Sequence, residues 1–252
     1  MLQMFTVEQR DEVRRWVLET ARADPRIVAG AAVGGSAGGE GDRWSDLDLT
    51  FAAAEGESLS AMLGEWGRLL GERYDAIELF DLPSGASIYR VFLLRGCLQF
   101  DLSLTPESQF RPRGPRFSLL FGTARERVDA PQASTHDTLG LGVHHALRAR
   151  LCIERGRGWQ AEYWISGIRD QAVVLACRRR GLPEAHGRGA DRLPADVLEA
   201  LEHTLVRSTE RGELLRALVA AVSSLRSEAA EVAETVVGLE PRLREITAAT
   251  IS

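Results

Sequence analysis

The chain has 252 residues and a mass of 27.7 kDa, enough for one large or two modest domains. All 31 of its basic side chains are arginine, which excludes a Schiff-base lysine, a phosphate-loop lysine and a Ser–Lys nucleophile pair. Phosphate handling then falls to arginine, backbone amides or metal. The net charge of −5 argues against nucleic acid as a general partner, and no apolar run of 18 residues is present to span a membrane.

The N-terminal residues lack the basic-then-apolar pattern of a signal peptide, and residues 7–23 have helical periodicity instead. Residues 27–35, IVAGAAVGG, read as a buried strand running into a glycine turn, and residues 46–53, DLDLTFAA, as a second strand. A helix is predicted over 58–74. Residues 76–82, 87–94 and 98–104 then read as three strands, the last two joined by a tight turn at Arg95–Gly96. The arginine-punctuated segment 111–127, with two prolines and two glycines, reads as a loop. Beyond Pro131 the strand signal fades, and apolar residues recur at helical spacing over 136–154, 159–180, 194–206 and 213–239. The first 130 residues carry the whole of the net negative charge. The expectation is an α+β fold in two domains: residues 1–130 with a small mixed sheet and flanking helices, and residues 131–252 as an all-α bundle. Cys97, Cys152 and Cys177 have neither disulfide nor metal spacing, so buried, reduced thiols in a cytoplasmic protein are expected.

The chemistry concentrates in residues 33–51, VGGSAGGEGDRWSDLDLTF. Asp46 and Asp48 are two apart on a predicted strand, so both carboxylates project to one side while Leu47 and Leu49 pack on the other. Neighbouring carboxylates repel unless a cation lies between them, and Mg²⁺ is the natural occupant. Upstream, Gly34, Gly35 and Ser36 form a turn whose amides and hydroxyl suit phosphate oxygens. A third carboxylate follows from alternation: Leu98, Phe100, Leu102 and Leu104 interleave with Gln99, Asp101 and Ser103, which puts Asp101 on the polar face of its strand. If that strand neighbours residues 46–50, three carboxylates converge, and Asp101 completes a metal site or takes a proton from an attacking hydroxyl. A two-residue turn at Arg95–Gly96 would set Arg90 opposite Asp101, where it could steer a phosphate.

Gly35-Ser36, nine further residues, then Asp46-Leu47-Asp48, with Asp101 on a later strand, resembles the nucleotidyltransferase superfamily of DNA polymerase β-like enzymes. The helical second half narrows the likeness to the antibiotic nucleotidyltransferases that act on aminoglycosides and lincosamides. The resemblance implies that Asp46 and Asp48 ligate Mg²⁺, as a pair of ions, that Gly35 and Ser36 hold ATP or another NTP, and that Asp101 is third ligand or general base. It implies transfer of a nucleoside monophosphate to a hydroxyl of a small molecule, such as a cationic aminoglycoside-type antibiotic, with release of pyrophosphate. The alternatives are transfer to protein or tRNA, as in toxin–antitoxin systems, and a catalytically silent nucleotide-binding module.

Other features have plainer readings. His144 and His145 are adjacent on a helix and cannot both face one ligand. Trp159, Tyr163 and Trp164 read as core, with stacking on a ligand ring as the alternative. Arg178–Arg180 reads as a helix end, with reach to a triphosphate as the alternative. Glu154, Glu162 or Asp170 on the helices could replace Asp101 as base.

Overall fold

A computed structural model of the chain describes residues 4–34, 42–114, 116–128 and 133–249. The chain divides into two compact units, Met1–Pro131 and Gln132–Ser252, and together they make an α+β protein.

The first unit is built on a six-stranded mixed sheet. Helix α1 (Val7–Ala23) opens it, with a capping box in which the Thr6 hydroxyl accepts from the Gln9 amide and the Gln9 side chain accepts from the Thr6 amide. Strands β1 (Ile27–Val33) and β2 (Leu47–Ala53) follow, then α2 (Leu59–Tyr74), capped by Ser58 and ended by Asp75 in a left-handed conformation. Strands β3 (Ile77–Ser84), β4 (Ser87–Leu94), β5 (Leu98–Pro106) and β6 (Phe117–Phe121) complete the sheet, in the spatial order β3-β4-β5-β2-β1-β6. Every neighbouring pair is antiparallel except β2 with β5.

Alternation gives this sheet two unlike faces. Leu47, Leu49 and Phe51 of β2 and Leu98, Phe100, Leu102 and Leu104 of β5 point to the face covered by Val13 and Val17 of α1 and Met62, Leu63 and Trp66 of α2. The opposite face carries Asp48 and Thr50 on β2 and Asp101, Ser103 and Thr105 on β5. Part of it is covered by Phe110 and Phe117, which pack on Ala29, Ala31 and Ala52.

Three sequence expectations need correction. Segment 111–127 is not all loop: Phe117–Phe121 forms β6, an edge strand antiparallel to β1. The β4–β5 turn takes three residues, Arg95–Cys97, with Gly96 and Cys97 both at positive φ. Cys97 is exposed at this turn, so only Cys152 and Cys177 of the three thiols are buried.

The second unit contains α3 (Thr135–Glu154), α4 (Gly158–Arg179), α5 (Ala195–Glu202), α6 (Arg211–Glu228) and α7 (Ala233–Thr247). The apolar pattern over 213–239 is broken at Ala230–Val232 by a short 3₁₀ turn that separates α6 from α7. Its core includes Ala146, Ala149, Ile165, Ile168, Ala172, Leu218, Ala221 and Leu225. Small residues permit close helix approach: a Cβ on Gly142 would lie 2.5 Å from the Leu225 side chain. Arg150, 1% exposed, is the largest fully buried side chain. It donates to the carbonyls of Ile246 and Ala248 at the end of α7 and pairs with Glu154 one helical turn away. The arginine thereby satisfies carbonyls that a helix end leaves without intrahelical partners. Arg150→Ala should cost about 3 kcal/mol, as expected for removing one member of a buried charged network. Chemical denaturation would measure it, with protection of α7 amides lost first.

Candidate active site

Three carboxylates meet on the sheet face that neither α1 nor α2 covers. The parallel register of β2 and β5 sets Asp48 directly beside Asp101. Asp46 precedes β2 by one residue and lies two positions before Asp48, on the same side. One carboxylate oxygen from each of Asp46, Asp48 and Asp101 lies within 4.8 Å of the others, and all three residues are half-buried. Hard anionic oxygens at this spacing are the donor set that divalent Mg²⁺ or Ca²⁺ takes.

The approach to Asp46 is braced from α1. The Arg10 guanidinium donates to the carbonyls of Asp42 (2.8 Å) and Ser45 (3.2 Å). The Asp42 carboxylate accepts from the Trp44 amide and the Ser45 hydroxyl, closing a tight turn. Trp44 is exposed, with the Arg43 guanidinium 4.0 Å from its ring centroid. On the other flank, Gly34 ends β1 with φ +64°, and a Cβ there would lie 2.1 Å from Oδ2 of Asp48. Only glycine lets the backbone pass this close to that carboxylate.

Burial raises the pKa of Asp101 above its ordinary value, the Asp46 charge raises it further, and a hydrogen bond from Gln99 Nε2 at 3.0 Å offsets part of this. Such a carboxylate is a stronger base than an exposed one and is stabilised by any cation placed between it and its neighbours.

Arg90 does not belong to this group. The three-residue turn shifts the β4–β5 register by one, so Val91 rather than Arg90 faces Asp101, and Arg90 faces Leu102 on the helix-covered side. There its guanidinium is held by Asp81 (2.6 and 2.8 Å), Glu78 (3.0 Å) and the Leu63 carbonyl (3.0 Å). Gly35 and Ser36, expected to hold phosphate, lie outside the described residues.

In the helical unit, Glu154 is tied to Arg150 and Arg211, and the hydrogen bond from Arg211 holds its pKa below the ordinary value, which weakens it as a base. Glu162 accepts from the Ser166 hydroxyl. Arg178 pairs with Glu184, and Arg179 and Arg180 with Glu228, so this arginine run bonds within its own unit. Trp159 and Tyr163 are exposed rather than core, while Trp164 is half-buried against His145. His144 is exposed. Sequence reading missed Arg10 and the steric role of Gly34. Arg10 contacts residues more than thirty positions away and leaves no local signature, whereas a glycine at the end of β1 was a visible sign.

No protein-family model matches the chain, and no curated protein matches it. Among solved structures, it is similar to an aminoglycoside 6-adenyltransferase from Bacillus subtilis, at 12% identity and a TM-score of 0.41, over 98% of this chain and all of that one. The site reading rests on the carboxylate geometry.

Two measurements follow. Ionising Asp101 in the metal-free protein works against burial and Asp46. A carboxyl with a raised folded-state pKa favours folding below its unfolded value, near 3.8, and loses that contribution as pH rises through the folded value. Asp101→Asn should therefore raise the thermal midpoint of the metal-free protein at pH 7 while abolishing any stabilisation by Mg²⁺. Gly34→Ala should cost about 1 kcal/mol from its backbone conformation and, by displacing Asp48, weaken Mg²⁺ binding at least tenfold by calorimetry.

Proposed function

We propose that the protein is a metal-dependent nucleotidyltransferase that moves a nucleoside monophosphate, AMP from ATP in the simplest case, onto a hydroxyl of a small molecule. The observation that carries this reading is the convergence of Asp46, Asp48 and Asp101 across parallel strands, beside Gly34 at the end of β1. The donor set fits a hard divalent cation: three carboxylates within 4.8 Å, one of them with its pKa raised by burial and a neighbouring charge. Asp46, Asp48 and Asp101 would hold Mg²⁺, which when bound offsets charge on the phosphoryl oxygens.

The remaining work belongs to the chain's own groups. The acceptor hydroxyl attacks the α-phosphorus in line, the new O–P bond forms as the bond to the β-phosphate oxygen breaks, and pyrophosphate leaves. Asp101 takes the hydroxyl proton. Gly34 admits the backbone beside Asp48, and Gly35 and Ser36, the next residues in sequence, are assigned to the phosphate oxygens. With the carboxylates on strands, positioning needs little rearrangement.

Pyrophosphate release from ATP, with and without Mg²⁺, tests this across a panel of hydroxylated acceptors. Asp46→Asn and Asp48→Asn should each lower kcat by about 10²–10³-fold or more while leaving the circular dichroism spectrum unchanged. Full turnover in both variants would sink the proposal.

A further inference from the structure

The same sheet face extends beyond the carboxylates toward β4 and β3, and its composition changes abruptly there. One row of laterally paired residues runs Asp48, Asp101, Val91, Phe80; the next runs Thr50, Ser103, Tyr89, Leu82. Laterally paired residues point to one face, so Val91 and Phe80 lie level with the carboxylates and Tyr89 and Leu82 one row on, with Val91 buried, Tyr89 half-buried and the β3 pair exposed. The helix-face location of Glu78 and Asp81 supports this independently, since both reach Arg90 beside Leu63 of α2. Phe80 and Leu82 are 55% and 57% exposed, unusual for large apolar side chains side by side on a strand. Toward the β3–β4 turn the surface is bounded by Arg113, which donates to Ser84 and Ser87.

We infer that this apolar surface is the acceptor floor, and that it selects a neutral hydroxylated molecule carrying an apolar or aromatic ring rather than a polycation. The inference rests on the nucleotidyl-transfer reading and adds the acceptor's position and chemistry to it. In-line displacement sets the nucleophile opposite the departing pyrophosphate. Gly34 lies against Asp48, on the β1 flank to which the transfer reading assigns the phosphates, and this leaves the β4 flank of Asp101 for the incoming hydroxyl. Strands are about 4.8 Å apart, so a ring on the exposed Phe80 and Leu82 of β3 sits roughly 10 Å from the β5 backbone, a span that the sugar-sized body of the acceptor bridges to Asp101. The chemistry of the floor decides the class. Strand β4 has no acidic residue, the β3 carboxylates are turned to the other face and neutralised by Arg90, and Asp101 is already committed at the centre. A polyammonium acceptor would find no carboxylate there, whereas a ring would bury the exposed face of Phe80.

The test uses the full chain with ATP and Mg²⁺ and matched acceptors: phenyl and octyl glucosides against methyl glucoside, with kanamycin A as the polycation. The expected result is pyrophosphate release that requires Asp48 and favours the phenyl or octyl member. In Phe80→Ser/Leu82→Ser, KM for that acceptor rises about tenfold, and Phe80→Tyr, which keeps the ring, returns it to within about threefold. Three outcomes overturn the floor and leave the transfer reading standing, all with Asp48-dependent release: preference for kanamycin A, equal treatment of the matched pairs by wild type and variant, or a dimer that the double substitution dissociates with KM unchanged. Absence of Asp48-dependent release with every acceptor overturns both.

Discussion

The parallel pairing of β2 with β5 is the constraint on which the rest of the first unit depends. Asp48 is the second residue of its strand and Asp101 the fourth of its own, and both lie toward the strand N-termini. Antiparallel strands would carry the two carboxylates to opposite ends of the sheet. A parallel neighbour needs a crossover rather than a tight turn, and the chain provides α2 and the β3–β4 hairpin between the two strands. The same register turns Phe100 and Leu102 under α2. Slippage of β5 by one residue would send Asp101 into the helix-covered core and an apolar residue to the site. Core and site are therefore specified together.

That coupling explains how an unfavourable cluster is tolerated. Bringing three carboxylates together costs free energy through mutual repulsion and lost hydration. The apolar residues alternating with them on β2 and β5 are almost all fully buried, so the strands that impose the repulsion also carry much of the hydrophobic stabilisation of the unit. Arg10 and Gly34 act at the margins of the cluster. One holds the turn into Asp46 from outside, and the other yields space that any side chain would occupy.

Alternation made much of this legible. The polar positions of β5 assigned Asp101 to the uncovered face before its neighbour strand was known, and Asp46 with Asp48 followed the same rule. What escaped depended on non-local or steric detail. Strand β6 is five residues among prolines, glycines and arginines, and only its pairing with β1 makes it a strand. Arg90 was misassigned because one residue, Cys97, joins the turn in a left-handed conformation and flips the β4 register. Trp159 and Tyr163 have helical spacing, but the position of Trp159 in the first turn of α4, with Tyr163 one turn on, leaves both on the solvent side.

The all-arginine composition acquires meaning from where those cations lie. Arg10 holds the turn before Asp46, Arg90 ties β3 to α2, Arg150 closes the end of α7, and Arg180 grips Glu228. Guanidinium keeps its charge throughout the range in which proteins fold, and its planar fork carries several of these bonds at once. The bonds of Arg10 and Arg150 to carbonyls have no titrating acceptor, whereas the pairs of Arg90 with Asp81 and of Arg180 with Glu228 are loosened by acid that neutralises the carboxylate. These ion pairs thus keep their cation in alkali and lose their anion in acid, and they have no lysine ammonium through which acylation could loosen them.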